Sequence, residues 1–179
     1  MAKLTKSIRK ENGYALGGLT QILAFATFLA NGITPSATLT FGADGLVSDI
    51  DLNEAVKPVL IESEEDKANF TDNLAIGAGR YKTQTLGFNL AGMSAAKSKA
   101  LEDIDLVKHS YVVRAKSGKY FLLGAKNGLI ASQNNAGVGA GVGDANGYDI
   151  IVGGAENGPA LEVSEAAWAA LSLLVPADV

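Results

Sequence analysis

The sequence predicts a mainly β protein: an antiparallel β-sandwich or barrel with one packed α-helix and a short C-terminal helix. Three observations predict it. Glycine supplies 21 of 179 residues and proline only 4; glycine thus exceeds its usual share of roughly 7%, which suits a chain with many tight turns. Apolar residues make up 47%, enough to fill a core and too many for a disordered chain. Short alternating runs recur between turn signals, while helical spacing is confined to two stretches. One domain accommodates this length, with residues 1–13 read as a basic N-terminal arm and 14–179 as the sandwich.

The arm carries Lys3, Lys6, Arg9 and Lys10 against Glu11, and no further charge appears before Asp44. Residues 1–43 therefore hold a net charge of +3 within a chain of −4, leaving −7 for the rest. The apolar run "TQILAFATFLA" at 20–30 reads as a buried strand or interface segment in preference to a signal or anchor. A spanning helix needs about 20 mainly apolar residues, and Gly17, Gly18, Thr20 and Gln21 interrupt its first half. "TLTFGADGLVSDIDL" follows, with Asp44-Gly45 as a two-residue hairpin signal. Leu39 and Phe41 share one face before that turn, and Leu46, Ser48 and Ile50 one face after it.

"AVKPVLIES" reads as a strand whose Pro58 favours a sheet edge. It leads into an acidic cluster of Glu62, Glu64, Glu65 and Asp66. "RYKTQTLGFNLAG" alternates, with Leu86, Phe88 and Leu90 on one face and Tyr81, Thr83 and Thr85 on the other. In "SAAKSKALEDIDL" Ser94 caps a helix whose stripe is Met93, Ala96, Ala100, Leu101 and Ile104. "HSYVVRAKSGKYFLLGA" forms a hairpin turning at Gly118, and "GLIAS" and "GYDIIVGG" supply the last two strands. About eight strands result, with Ser164 and Glu165 opening the terminal helix around the sole tryptophan, Trp168.

Chemistry finds little purchase. Residues 137–154, "GVGAGVGDANGYDIIVGG", look like a phosphate loop, but the dinucleotide fingerprint needs glycine at its first, third and sixth positions. From Gly137 the sixth residue is Val142, and from Gly139 it is Asp144. The single Gly-Lys pair, Gly118-Lys119, is followed by Tyr120 instead of Ser or Thr. The stretch reads as a turn that accommodates a neighbour, with Gly139 and Gly141 as contact candidates.

No cysteine and one histidine, His109, remove the usual ligands of transition metals. No G-x-S-x-G elbow supports a triad, and the acidic clusters at 62–66 and at Asp144, Asn146 and Asp149 lack the calcium-loop pattern. No cofactor and no enzymatic activity are expected. The acidic balance also disfavours stable nucleic-acid binding. A basic arm on an otherwise acidic chain favours self-association, with Lys3, Lys6, Arg9, Lys10, Asp44 and Gly45 as interface candidates.

The segments "YKTQTLGFNLAGMSAAKSKALEDI", "YVVRAKSGKYFLLG", "YFLLGAKNGLIAS" and "GDANGYDIIVGGAENGPALEV" resemble the tail tube proteins of long-tailed bacteriophages. The resemblance covers roughly residues 75–163 and rests on turn residues. It implies a self-assembling virion subunit, assembled in the host cytoplasm, that forms stacked and often hexameric rings and meets other virion proteins. Strands of neighbouring subunits would join into one inner barrel through which DNA passes transiently and without specificity. An acidic lumen would suit that passage, with Glu62, Glu64, Glu65 and Asp66 as candidates, and no membrane would be involved. Two alternatives stay open: a capsid decoration or head–neck protein, and a membrane-anchored or secreted β-sandwich binding module.

Overall fold

A computed structural model describes residues 17–140 and 146–176. Eleven strands and two helices follow one another within them. The first five strands are β1 (Leu19–Ala26), β2 (Ala37–Phe41), β3 (Val47–Leu52), β4 (Val59–Ile61) and β5 (Asn69–Ile76). β6 (Arg80–Ala91) leads into α1 (Ala95–Leu106), and β7 (His109–Ala115) and β8 (Tyr120–Leu123) follow it. β9 (Ile130–Val138), β10 (Asn146–Glu156), β11 (Leu161–Val163) and α2 (Glu165–Leu173) complete the order. The strands form a seven-stranded sheet, β2-β3-β11-β8-β7-β1-β4, and a four-stranded sheet, β5-β6-β10-β9. The mainly β expectation and both helices stand.

The structure selects between the two alternatives of that expectation and corrects one part of it. The sheets are stacked and do not close, so the fold is a sandwich and no barrel. The larger sheet is also mixed, because β11 runs antiparallel to β8 but parallel to β3, at Val163 and Val47. The physical reason is the β2–β3 hairpin, which satisfies one side of β3 and leaves its inner edge for a strand arriving late in the chain.

Burial explains the long apolar run. β1 lies between β7 and β4 and is covered on both faces. Ile22 and Ala24 point into the core between the sheets, where they meet Tyr111, Leu86, Phe88 and Ile150. Leu23 and Phe25 point into a second core with Val112, Leu122 and the α2 residues Trp168 and Leu171. A strand covered twice carries apolar residues without alternation. At roughly 1.5–3 kcal/mol per fully buried large apolar side chain, β1 is a principal anchor of both layers.

Strands of the two sheets cross. The residue before β5 meets β1, as Leu19 N–H donates to Ala68 C=O at 3.3 Å, and β5 then meets β8 through the rings of Phe70 and Phe121, 5.4 Å apart. Next it meets the start of β11, where Ala160 N–H donates to Asp72 Oδ2 at 2.9 Å. The β5–β6 hairpin therefore extends past β11, while the opposite end of β6 lies by β4 and α1.

Both helices start where expected. Ser94 Oγ accepts from Lys97 N–H at 3.2 Å and Ser164 Oγ from Ala167 N–H at 3.1 Å, each satisfying a donor the helix leaves unpaired. The α1 stripe is narrower than the spacing predicts: Leu101 and Ile104 are buried, whereas Met93, Ala96 and Ala100 are exposed. The helix packs its buried pair beside β9 and leaves the Ala100 side open.

The Asp44-Gly45 hairpin forms, but its loop has five residues, Gly42 to Leu46. Gly45 N–H donates to Gly42 C=O at 3.0 Å with Gly45 at φ +85°, and Leu46 N–H donates to Asp44 Oδ1 at 3.1 Å. A register shift beside Phe41 then buries Val47 together with Ile50, where alternation had put Leu46 and Ser48 on the Ile50 face, and leaves Phe41 exposed.

Candidate assembly surface

The four-stranded sheet buries one face and presents the other. Phe70, Gln84, Leu86, Phe88, Tyr148, Ile150 and Val152 point inward. Side chains alternate along a strand and residues opposite each other share a face, so the registers define the outer face row by row. Ala91 lies with Gly147 and Gly137, and Asn89 with Asp149 and Asn135. Gly87 lies with Asn69, Ile151 and Gln133, Thr85 with Thr71, Gly153 and Ile130, and Thr83 with Asn73 and Ala155. The row nearest the β5–β6 turn is Ala75 and Tyr81.

The chemistry of this face is uniform. Apart from Tyr81, Ile130 and Ile151 it is built of small or neutral polar residues, it carries no Lys or Arg, and its one carboxylate, Asp149, accepts from Gln133 Nε2 at 2.8 Å. Thr83, Thr85 and Tyr81 were legible as the non-core face of β6; the β5 and β9 members were not. A signal for the rest does exist in the chain: Lys126 is its last cation, so nothing positive can stand on β9 or β10.

Both edges of this sheet lack a strand partner among the described residues, since β5 and β9 are its outermost strands. They are 8 and 9 residues long, against 5 and 3 for β2 and β4 at the edges of the larger sheet. Edge strands are usually blunted by Lys, Pro or shortness. β4 is short and follows Lys57-Pro58, whereas β5 and β9 contain neither Lys nor Pro. Two long edges without Lys or Pro flank one cation-free face, with α1 beside β9, where Asn134 Nδ2 donates to Asp105 Oδ2 at 2.9 Å.

The remaining interface candidates distribute as follows. Lys3, Lys6, Arg9, Lys10 and Gly141 lie outside the described residues. Asp44 and Gly45 sit exposed at the β2–β3 turn. Gly139 is exposed just beyond β9, and the glycine stretch is in part strand, because Ala136, Gly137 and Val138 pair with Tyr148, Gly147 and Asn146. Glu62, Glu64, Glu65 and Asp66 occupy the β4–β5 connection and are absent from the outer face. Lys116 engages two of them, hydrogen-bonded to Asp66 and 3.9 Å from Glu65. The Asp66 hydrogen bond raises the Lys116 pKa above its ordinary value.

Glu62 and Glu64 instead line an open groove of about 1200 Å³ between β1, β4, the end of β6 and α1. Its floor is apolar, with Ala24, Leu60, Phe88, Leu90 and Leu101, and His109 lies at its end. Burial lowers the pKa of His109 below its ordinary 6.5, against the opposing pull of a 2.8 Å hydrogen bond to Val107 C=O. No group of three or more metal-ligating side chains occurs among the described residues, and none of their helices is long and apolar enough to cross a membrane.

Comparison with protein families, with curated proteins and with solved structures finds no match.

Proposed function

We propose that this chain is a structural subunit that assembles with copies of itself into a hollow ring, the four-stranded sheet facing the lumen. The observation that carries this reading is the cation-free outer face bounded by two long edge strands that contain no Lys or Pro and pair with no further described strand. Pairing β5 of one copy with β9 of the next would satisfy both rows of open backbone groups and continue the sheet around a closed circuit. Cyclic repetition of one heterologous contact closes a ring when the rotation allows it.

Among such assemblies the tail tube of a long-tailed bacteriophage fits best. Residues 75–163, which carry that resemblance, span β6 through β11 and so include three of the four strands in the proposed wall. A duplex moving through a lumen must not be held. Binding to DNA draws on phosphate neutralisation by Lys and Arg with release of counterions, and a face without either offers no such term. Neutral Thr, Asn and Gln side chains and glycine backbone, with Asp149 as the one carboxylate, would stand where the resemblance implies an acidic lining.

Electron microscopy of the full-length chain over a range of concentrations tests the proposal. Hollow rings or tubes with a lumen wide enough for duplex DNA are expected. A monomer persisting at every concentration contradicts it and favours a decoration protein or binding module that needs a scaffold or ligand.

A further inference from the structure

The two ends of the four-stranded sheet are unlike, and each presents apolar surface that the described residues leave uncovered. At one end the β5–β6 hairpin turns through Gly77 and Gly79, whose N–H and C=O bond at 2.9 Å. Leu74 and Ile76 stand on its core-side face beyond the region the larger sheet covers, and they are 59% and 71% exposed. At the other end, where β6 finishes at Leu90 and Ala91, the apolar groove opens between β4 and α1.

We infer that the β5–β6 hairpin tip of one copy docks into the β4–α1 groove of a second copy, stacking the chains head to tail. This extends the proposed function from the ring to the contact between rings, and its direction rests on that reading. The contact itself stands on four local observations. Tip and groove lie at opposite ends of one sheet, as a heterologous, repeating contact requires. The tip offers two exposed branched aliphatics on a narrow hairpin, and the groove offers an apolar floor. A volume of 1200 Å³ also exceeds the roughly 300–1,000 Å³ usual for small-molecule pockets and admits a chain segment.

Charge supplies the fourth. Residues 73–81 carry a single charge, the exposed Arg80. The groove is bordered by Glu62, Glu64 and Asp103 against Lys57 and Lys97. Lys97 is already engaged by the carbonyls of Ala91 and Gly92, so the rim presents a surplus of acid to an incoming guanidinium. Matching charge of this kind sets register and encounter rate.

The chain has no cysteine, so single cysteines can be placed without background. Ala78 at the tip and Ala100 in the groove are both exposed. Mixed Ala78→Cys and Ala100→Cys proteins, treated with a short bis-maleimide, are expected to give a dimer containing one of each. Adding Ile76→Asp to the tip variant should reduce its yield at least tenfold with an unchanged melting temperature. Absence of the mixed dimer overturns the inference. So does equal linking of Ala78→Cys to Thr38→Cys on β2, or preferred linking of Ala100→Cys to Lys3→Cys. Rings seen by microscopy without the 78–100 link would sink the stacking contact and spare the ring. The link without hollow rings would do the reverse.

Discussion

Replacing Gly128 with alanine is expected to destabilise the fold by about 2–5 kcal/mol. Two costs add. Gly128 has φ +71°, where a side chain costs roughly 1–2 kcal/mol in backbone strain. A Cβ built there would also lie 2.4 Å from Thr27 Oγ1 and 2.9 Å from Lys108 Cβ, and overpacking of a tight site costs about 1–3 kcal/mol. Thr27 cannot simply turn away, because its hydroxyl is buried and bonded to Ser110 Oγ at 3.0 Å. Chemical denaturation of the variant against the parent measures the loss. Gly158→Ala, where no atom lies within 4 Å of the added carbon and φ is not positive, should fall within about 0.5 kcal/mol of the parent.

The second large effect belongs to Glu156, only 3% exposed. Its Oε1 accepts from the backbone N–H groups of Asn127 at 2.8 Å, Gly128 at 3.2 Å and Lys126 at 3.3 Å. Consecutive N–H groups converging on one anionic oxygen form a nest, and hydrogen bonds to a charged acceptor are the stronger kind. Glu156→Ala leaves those donors without their acceptor at a cost of about 1–3 kcal/mol for each one left unsatisfied in the interior. A total loss of about 2–5 kcal/mol is expected, since the N–H of the exposed Lys126 can turn to water. Glu156→Gln keeps an acceptor oxygen and should lose distinctly less. Equal losses for Ala and Gln, or none for either, would refute the clamp.

Both residues sit at the junction where the chain passes from the larger sheet to the smaller one. Gly124, just after β8, donates to Gln84 Oε1 at 2.8 Å and accepts from Ser110 Oγ at 2.7 Å. Gln84 is on β6 and Ser110 on β7, so one residue ties the two sheets together. The orientation of the proposed lumen wall relative to the rest of the subunit depends on this polar junction as much as on the apolar core. Weakening it should impair assembly as well as stability.

Much of the architecture was legible where the pattern is local. Pro58 marked an edge strand, Ser94 and Ser164 marked helix starts, and the Gly118 turn between β7 and β8 formed with Gly118 N–H bonded to Ala115 C=O at 3.0 Å. β5 was not legible. Its sequence, "NFTDNLAI", has the Asn and Asp of a turn region, because only Phe70 packs into the core and the strand is an edge with one open face. The short β11 was equally hidden: three residues gain their place from partners far back in the chain, Leu161 from Leu122, 39 positions earlier, and Val163 from Val47, 116 positions earlier. The cation-free outer face could have been suspected from the missing cations after Lys126. Its assembly from four strands required the register.

Amide hydrogen exchange, compared between the dilute chain and its assembled form, tests the central claim most directly. If β5 of one copy pairs with β9 of the next, segments 69–76 and 130–138 should gain protection on assembly of at least tenfold. Segment 37–41, the edge strand β2 of the larger sheet, should change little. Assembled material in which 69–76 and 130–138 exchange as fast as in the dilute chain would contradict the account.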